Sequence, residues 1–171
     1  MNPEKIEPIT IKKAKEILLQ TMRLYFSKNR KGEYQMDRRR TRPLYLMGAA
    51  GIGKTEIVRQ AAEESGVAFL SYSVTHHTRQ SLIGLPCLKE EWIGGELVSM
   101  TEYTMSEILA EIYQTIEETG KAEGVLLLDE CNCISESLRP IMLQLLQEKV
   151  FGRHSIPDGW LLVLTGNPAE Y

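Results

Sequence analysis

The sequence predicts an α/β fold: a mostly parallel sheet with helices packed on both faces. Two observations predict it. Four short apolar runs of strand length (residues 44–47, 67–74, 125–128 and 160–165) alternate with stretches of helical periodicity. The first run also passes through a glycine-rich turn directly into a helix. With 171 residues the chain suits one domain with a real core and is too short for two ordinary ones. Its net charge of -3, with 25% charged residues, lacks the basic excess usual in nucleic-acid binders, so DNA or RNA is not the expected partner. No apolar run approaches bilayer length and the N-terminus has no signal-type apolar region, so a cytoplasmic protein with no membrane partner is expected.

The first helix is read from Thr10 to about Asn29, with Ile11, Ala14, Ile17, Leu18, Met22 and Tyr25 inward and Lys12, Lys13, Lys15 and Glu16 outward. Residues 27–42 turn polar and basic, with Lys28, Arg30, Lys31, Arg38, Arg39, Arg40 and Arg42 around Gly32. They form either a solvated connection or an anion-binding or subunit-contact patch. Leu44-Tyr45-Leu46-Met47 reads as a buried strand. The helix that follows carries Ile57, Val58, Ala61 and Ala62 at helical spacing and stops at Gly66. Val67 to Val74 is a second strand, with His76 and His77 in the loop at its end.

Residues 84–100, with Pro86, Trp92 and the Gly94-Gly95 turn signal, suggest a small hairpin or irregular excursion. Thr104-Met105-Ser106-Glu107 has the form of a capping box. It introduces a helix from Met105 to about Thr119, with Ile108, Leu109, Ile112, Tyr113 and Ile116 inward and Gly120 as its stop. Val125-Leu126-Leu127-Leu128 suits a central parallel strand buried on both sides. A helix from Ser135 to about Glu148, a hairpin over residues 150–159 and a last strand from Trp160 to Thr165 complete the series. Cys87, Cys131 and Cys133 are read as reduced structural thiols, because no second pair or nearby histidine completes a tetrahedral metal site.

The chemistry lies at the strand ends. Gly48-Ala49-Ala50-Gly51-Ile52-Gly53-Lys54-Thr55 fits the phosphate-cradling pattern G-x-x-x-x-G-K-[ST], in which glycines let successive N–H groups turn inward and the next helix adds its positive dipole end. The candidate cradle is Gly48, Ala50, Gly51, Ile52, Gly53, Lys54, Thr55 and Glu56, with Lys54 on the β- and γ-phosphates and the Thr55 hydroxyl on Mg²⁺. Asp129-Glu130 closes the third apolar run. Asp129 would support Mg²⁺, and Glu130, one position further on, would take a proton from an attacking water. Asn167 ends the last strand with a neutral amide able to orient that water or touch the γ-phosphate. Lys54, Glu130 and Asn167 are therefore the candidate catalytic residues, and Thr55 and Asp129 the metal residues.

These three motifs in this order resemble the AAA+ ATPases over nearly all of the chain after Arg42. Gly48 to Thr55 matches Walker A, Leu126-Leu127-Leu128-Asp129-Glu130 matches Walker B, and Thr165-Gly166-Asn167-Pro168 matches sensor 1. The wording L-L-L-D-E, the helix ending Leu145-Leu146-Gln147-Glu148 and T-G-N-P resemble the MoxR-type branch and its dynein-related relatives. The resemblance implies a P-loop NTPase three-layer αβα sandwich with sheet order 5-1-4-3-2, ATP/ADP and Mg²⁺ as ligands, and a homo-oligomer, typically a hexamer, that remodels a protein partner. It also implies a von Willebrand factor A domain protein as a partner. On this reading residues 1–42 are an N-terminal helix and basic linker, and residues 43–171 are the nucleotide-binding core. The hairpins around Trp92 and Phe151 would face a central pore, or serve packing or subunit contact.

The family's fifth strand, arginine finger and helical lid would lie past sensor 1, and neither Arg139 nor Arg153 occupies the finger position. The expectation is an Mg²⁺-dependent ATPase whose turnover is weak or absent in this chain. Its alternatives are a nucleotide-binding switch with little or no hydrolysis and a P-loop kinase, which Glu130 and Asn167 argue against.

Overall fold

The computed structural model describes residues 7–37, 41–76, 78–151 and 153–168, the side chains of His76 and Arg79 excepted. His77 and Arg38, Arg39 and Arg40 of the basic segment lie outside the described residues, as does the His76 side chain. The elements are α1 (Ile11–Tyr25), β1 (Leu44–Met47), α2 (Lys54–Glu64), β2 (Ala68–Ser73), α3 (Arg79–Ile83), β3 (Pro86–Ile93) and β4 (Glu96–Tyr103). They continue as α4 (Glu107–Thr119), β5 (Gly124–Asp129), α5 (Arg139–Glu148), β6 (Val150–Phe151), β7 (His154–Ser155) and β8 (Trp160–Gly166).

Four strands form one parallel sheet in the order β1-β8-β5-β2, so the last strand lies between the two that carry the phosphate loop and Asp129. The apolar runs explain the layers. In β5 and β8, Val125, Leu127, Leu161 and Val163 join the core built with α1 and α2, while Leu126, Leu128, Leu162 and Leu164 join the core built with α4 and α5. Because alternate side chains point to opposite faces, a strand covered on both sides has to be apolar throughout. Two hairpins, β3–β4 and β6–β7, stand outside the sheet. No helix among the described residues is long and apolar enough to cross a membrane.

Several expected details differ, each for a local reason. α1 ends at Tyr25 instead of near Asn29: Ser27 Oγ donates to the Leu24 carbonyl (2.7 Å), and Asn29 Oδ1 accepts from the Lys31 and Glu33 N–H groups, so the chain is committed to a turn. Ile11 and Ile17 lie toward solvent, leaving Ala14, Leu18, Met22 and Tyr25 as the buried stripe. The basic segment is tied down at its start, since Lys28 and the Tyr34 hydroxyl both meet Glu123 at 2.7 Å.

β1 is an edge strand of the described sheet, with Tyr45 and Met47 exposed, and not a strand buried on both faces. The 84–100 region is a regular hairpin that runs on to Tyr103. Thr104 does not cap α4, because its hydroxyl accepts from Leu85 N–H (2.9 Å) and closes the base of that hairpin. Ser106 is the cap, accepting from Leu109 N–H. Tyr113 is exposed on the outer side of α4. Residues 135–138 are a turn, so α5 begins at Arg139 with Pro140 in its first turn.

Core and hairpin should respond differently to truncation. Leu127→Ala, at a fully buried position of β5, should lose about 2–5 kcal/mol of stability. Leu88→Ala, on the exposed hairpin, should stay within about 0.5 kcal/mol. Chemical denaturation of both variants checks the contrast.

Candidate active site

The cleft forms where the parallel strands end, the usual place for a ligand in an open α/β sheet. β1 leads into the glycine loop. Gly53, left-handed at φ 89°, caps α2 and turns the loop so that Lys54 and Thr55 start the helix. Lys54 Nζ donates to the carbonyls of Gly48 (2.8 Å) and Ala49 (2.9 Å) and to Asn167 Oδ1 (2.8 Å), which links the phosphate loop to the end of β8. Thr55 Oγ1 donates to Asp129 Oδ2 at 2.9 Å. The other oxygen of Asp129 accepts from the buried Thr165 hydroxyl and from the Glu130 N–H (3.0 Å).

Glu130 has a left-handed backbone, φ 60°, which is uncommon outside glycine. Its Oε2 accepts from the hydroxyls of Ser73, the last residue of β2 (3.3 Å), and of Thr75 in the 3₁₀ turn that follows (3.1 Å). The carboxylate is thus held between two strands. Lys54, Thr55, Asp129, Glu130 and Asn167 line one cleft of about 330 Å³, together with Ala50, Gly51, Gly53 and Glu56. Gly48 and Ile52 line an adjoining, more apolar cleft of about 500 Å³ beside β1 and the start of α1. Glu56 is drawn below the usual carboxylate range, chiefly by hydrogen bonding from Arg59 on the same helix.

Among the described residues, no group of three or more His, Cys, Asp or Glu side chains gathers to cage a metal. The donors present, a hydroxyl and a carboxylate in contact, instead suit Mg²⁺, which keeps several waters and binds through one or two protein oxygens plus phosphates.

A model of the ATPase family associated with various cellular activities (AAA) matches residues 44–155. The chain belongs to the AAA family. ATP binding and hydrolysis are the activity of that family, and the matched span holds the phosphate loop, Asp129 and Glu130. Among solved structures, a mutant of RuvB from Thermotoga maritima superposes with a TM-score of 0.50 and 13% identity over 95% of this chain. At that identity the likeness is one of fold. The chain spans 40% of that RuvB chain. No curated protein matches the sequence.

Three residues that hold the site of this AAA chain escape sequence reasoning, Ser73 and Thr75 on Glu130 and Asn132 on Asn167, and Thr165, matched only within the sensor 1 segment, received no role of its own. Thr165 carried a signal, as the first polar residue at the end of a fully apolar strand. The other three did not, because only the sheet order sets the end of β2 against Glu130 and the turn after Glu130 against Asn167. The sequence places Cys131 and Cys133 on either side of Asn132, whereas the fold separates their environments. Burial, with the Asp129 charge nearby, pushes the Cys131 thiol up to about 12, so it stays protonated until strongly alkaline pH. Cys87 and Cys133 are free and exposed. Alkylation by iodoacetamide at about pH 8 should label those two and spare Cys131, as peptide mass spectrometry would show.

Proposed function

We propose that this AAA chain binds ATP with Mg²⁺ and hydrolyses it. The observation that carries the reading is that Glu130, Lys54 and Asn167 share the cleft defined by the Thr55–Asp129 pair. On ATP binding, Lys54 exchanges its carbonyl and amide acceptors for β- and γ-phosphate oxygens. Thr55 and Asp129 would hold Mg²⁺, which would supply neutralisation of the charge on the phosphates. Glu130 accepts the proton of the attacking water as the γ-phosphoryl group moves to that water, giving ADP and phosphate. Asn167 contacts the γ-phosphate.

Lys54 is the sole cation among the described residues lining this cleft. That supports a second cation donated by a neighbouring copy in a homo-oligomer, with weak turnover expected of a single chain; the family resemblance supports the hexameric kind. The motif wording supports the MoxR-type, dynein-related branch, with hydrolysis coupled to remodelling of a protein partner and a von Willebrand factor A domain protein as a candidate. The β3–β4 hairpin supports a protein contact: Trp92 and Leu97 pair across it at 71% and 52% exposure, with Leu88 on the same face at 83%.

ATP hydrolysis per subunit, followed over a wide range of protein concentration, tests the proposal. Specific activity should rise with concentration. Glu130→Gln should bind ATP and abolish turnover at every concentration. Equal turnover in the variant removes Glu130 from the mechanism, and a slow rate independent of concentration contradicts a site completed between subunits.

A further inference from the structure

The ladder between β5 and β8 ends at the Leu128–Leu164 pair, yet both chains run on into the cleft. Beyond that point Asn167 is met by a side chain and not by backbone. Asn132 Oδ1 accepts the Asn167 N–H at 3.0 Å, and Asn132 Nδ2 donates to the Asn167 carbonyl at 2.8 Å. One side-chain amide therefore satisfies both polar backbone groups of one residue. Two bonds of opposite polarity fix that residue's orientation where a single bond would leave it free to swing.

The approach is close enough to constrain the neighbouring residue. A Cβ on Gly166 would stand 2.9 Å from Asn132 Oδ1 and 2.1 Å from the Tyr45 hydroxyl oxygen. Asn132 itself belongs to the short 3₁₀ turn Cys131–Cys133, two residues beyond Glu130. The same short turn thus follows the base and grips the residue that contacts Lys54.

We propose that Asn132 is a positioning residue: it holds Asn167 so that its side-chain amide stands at the terminal phosphate, and it ties that amide to the turn carrying Glu130. The inference rests on the reading of Asn167 as a γ-phosphate contact. Asn132 is not among the residues lining the cleft and acts through Asn167. Its effect is therefore greatest on ligands with a third phosphate.

The test is the ratio of affinities for the β,γ-imido analogue of ATP and for ADP, both with Mg²⁺, measured by calorimetry. This readout needs no turnover, and a purely structural role would not move it. The proteins are the wild-type chain, Asn132→Ala, Asn132→Asp, Asn167→Ala and the Asn132→Ala/Asn167→Ala double variant, each checked by thermal unfolding. Asn132 is exposed, so its variants are expected to fold.

Asn167→Ala should reduce the preference for the triphosphate analogue, and Asn132→Ala should reduce it by a similar factor, about tenfold. ADP affinity should change less than analogue affinity in both, since ADP lacks the phosphate that Asn167 contacts. Asn132→Asp keeps the acceptor for the Asn167 N–H and loses the donor, so it should fall between wild type and Asn132→Ala. The double variant should be no worse than Asn167→Ala alone. A wild-type ratio in Asn132→Ala beside a reduced one in Asn167→Ala overturns the inference and leaves the ATPase reading intact. Multiplying losses in the double variant overturn it as well. A silent Asn167→Ala removes Asn167 from γ-phosphate contact and this inference with it, whereas a wild-type chain that binds neither nucleotide overturns the ATPase reading itself.

Discussion

The ammonium of Lys54 resting on three oxygens is the contact on which the site depends. Two of these acceptors belong to the phosphate loop and the third to Asn167 at the end of β8. A charge so placed satisfies the loop's carbonyls and pins the loop against the neighbouring strand. Each contact is also a hydrogen bond to a charged donor, and these are the stronger kind. The same ammonium is the group that phosphate oxygens would claim. On the proposed reading, ligand binding would compete with the loop's own closure, and entry of the terminal phosphate would free Asn167 from Lys54.

That contact is available only because β8 lies between β1 and β5. The order puts Asn167 beside the phosphate loop on one side and beside the turn after Glu130 on the other. Asp129 repeats the arrangement, since one oxygen meets Thr55 at the start of α2 and the other meets Thr165 of β8. Three strands and a helix N-terminus are thereby stitched together by side chains at the end of the sheet where backbone pairing stops. The two-sided apolar packing of β5 and β8 below holds those ends in register.

Much of this was legible in the sequence because it is written as local pattern. The glycine loop, the unbroken apolar runs of β5 and β8 and the spacing of Ile57, Val58, Ala61 and Ala62 each record a requirement of the chain segment that carries them. What was not legible depends on partners distant in sequence. Thr104 looks like a helix cap until Leu85 is seen to need its hydroxyl, and Ser106 takes the role. Tyr45 and Met47 look buried until β1 proves to be an edge of the described sheet. Ser73 and Thr75 are ordinary strand-end residues until the fold sets them against Glu130.

The central claim is that Lys54 is shared between the loop's self-contacts and a bound triphosphate, and calorimetric titration of MgATP into the wild-type chain and into Lys54→Ala tests it most directly. The account predicts measurable binding by the wild type and a loss of about 100-fold or more in a variant that remains folded, as expected when a partly buried charged contact to phosphate is removed. Undiminished MgATP binding by folded Lys54→Ala would contradict it.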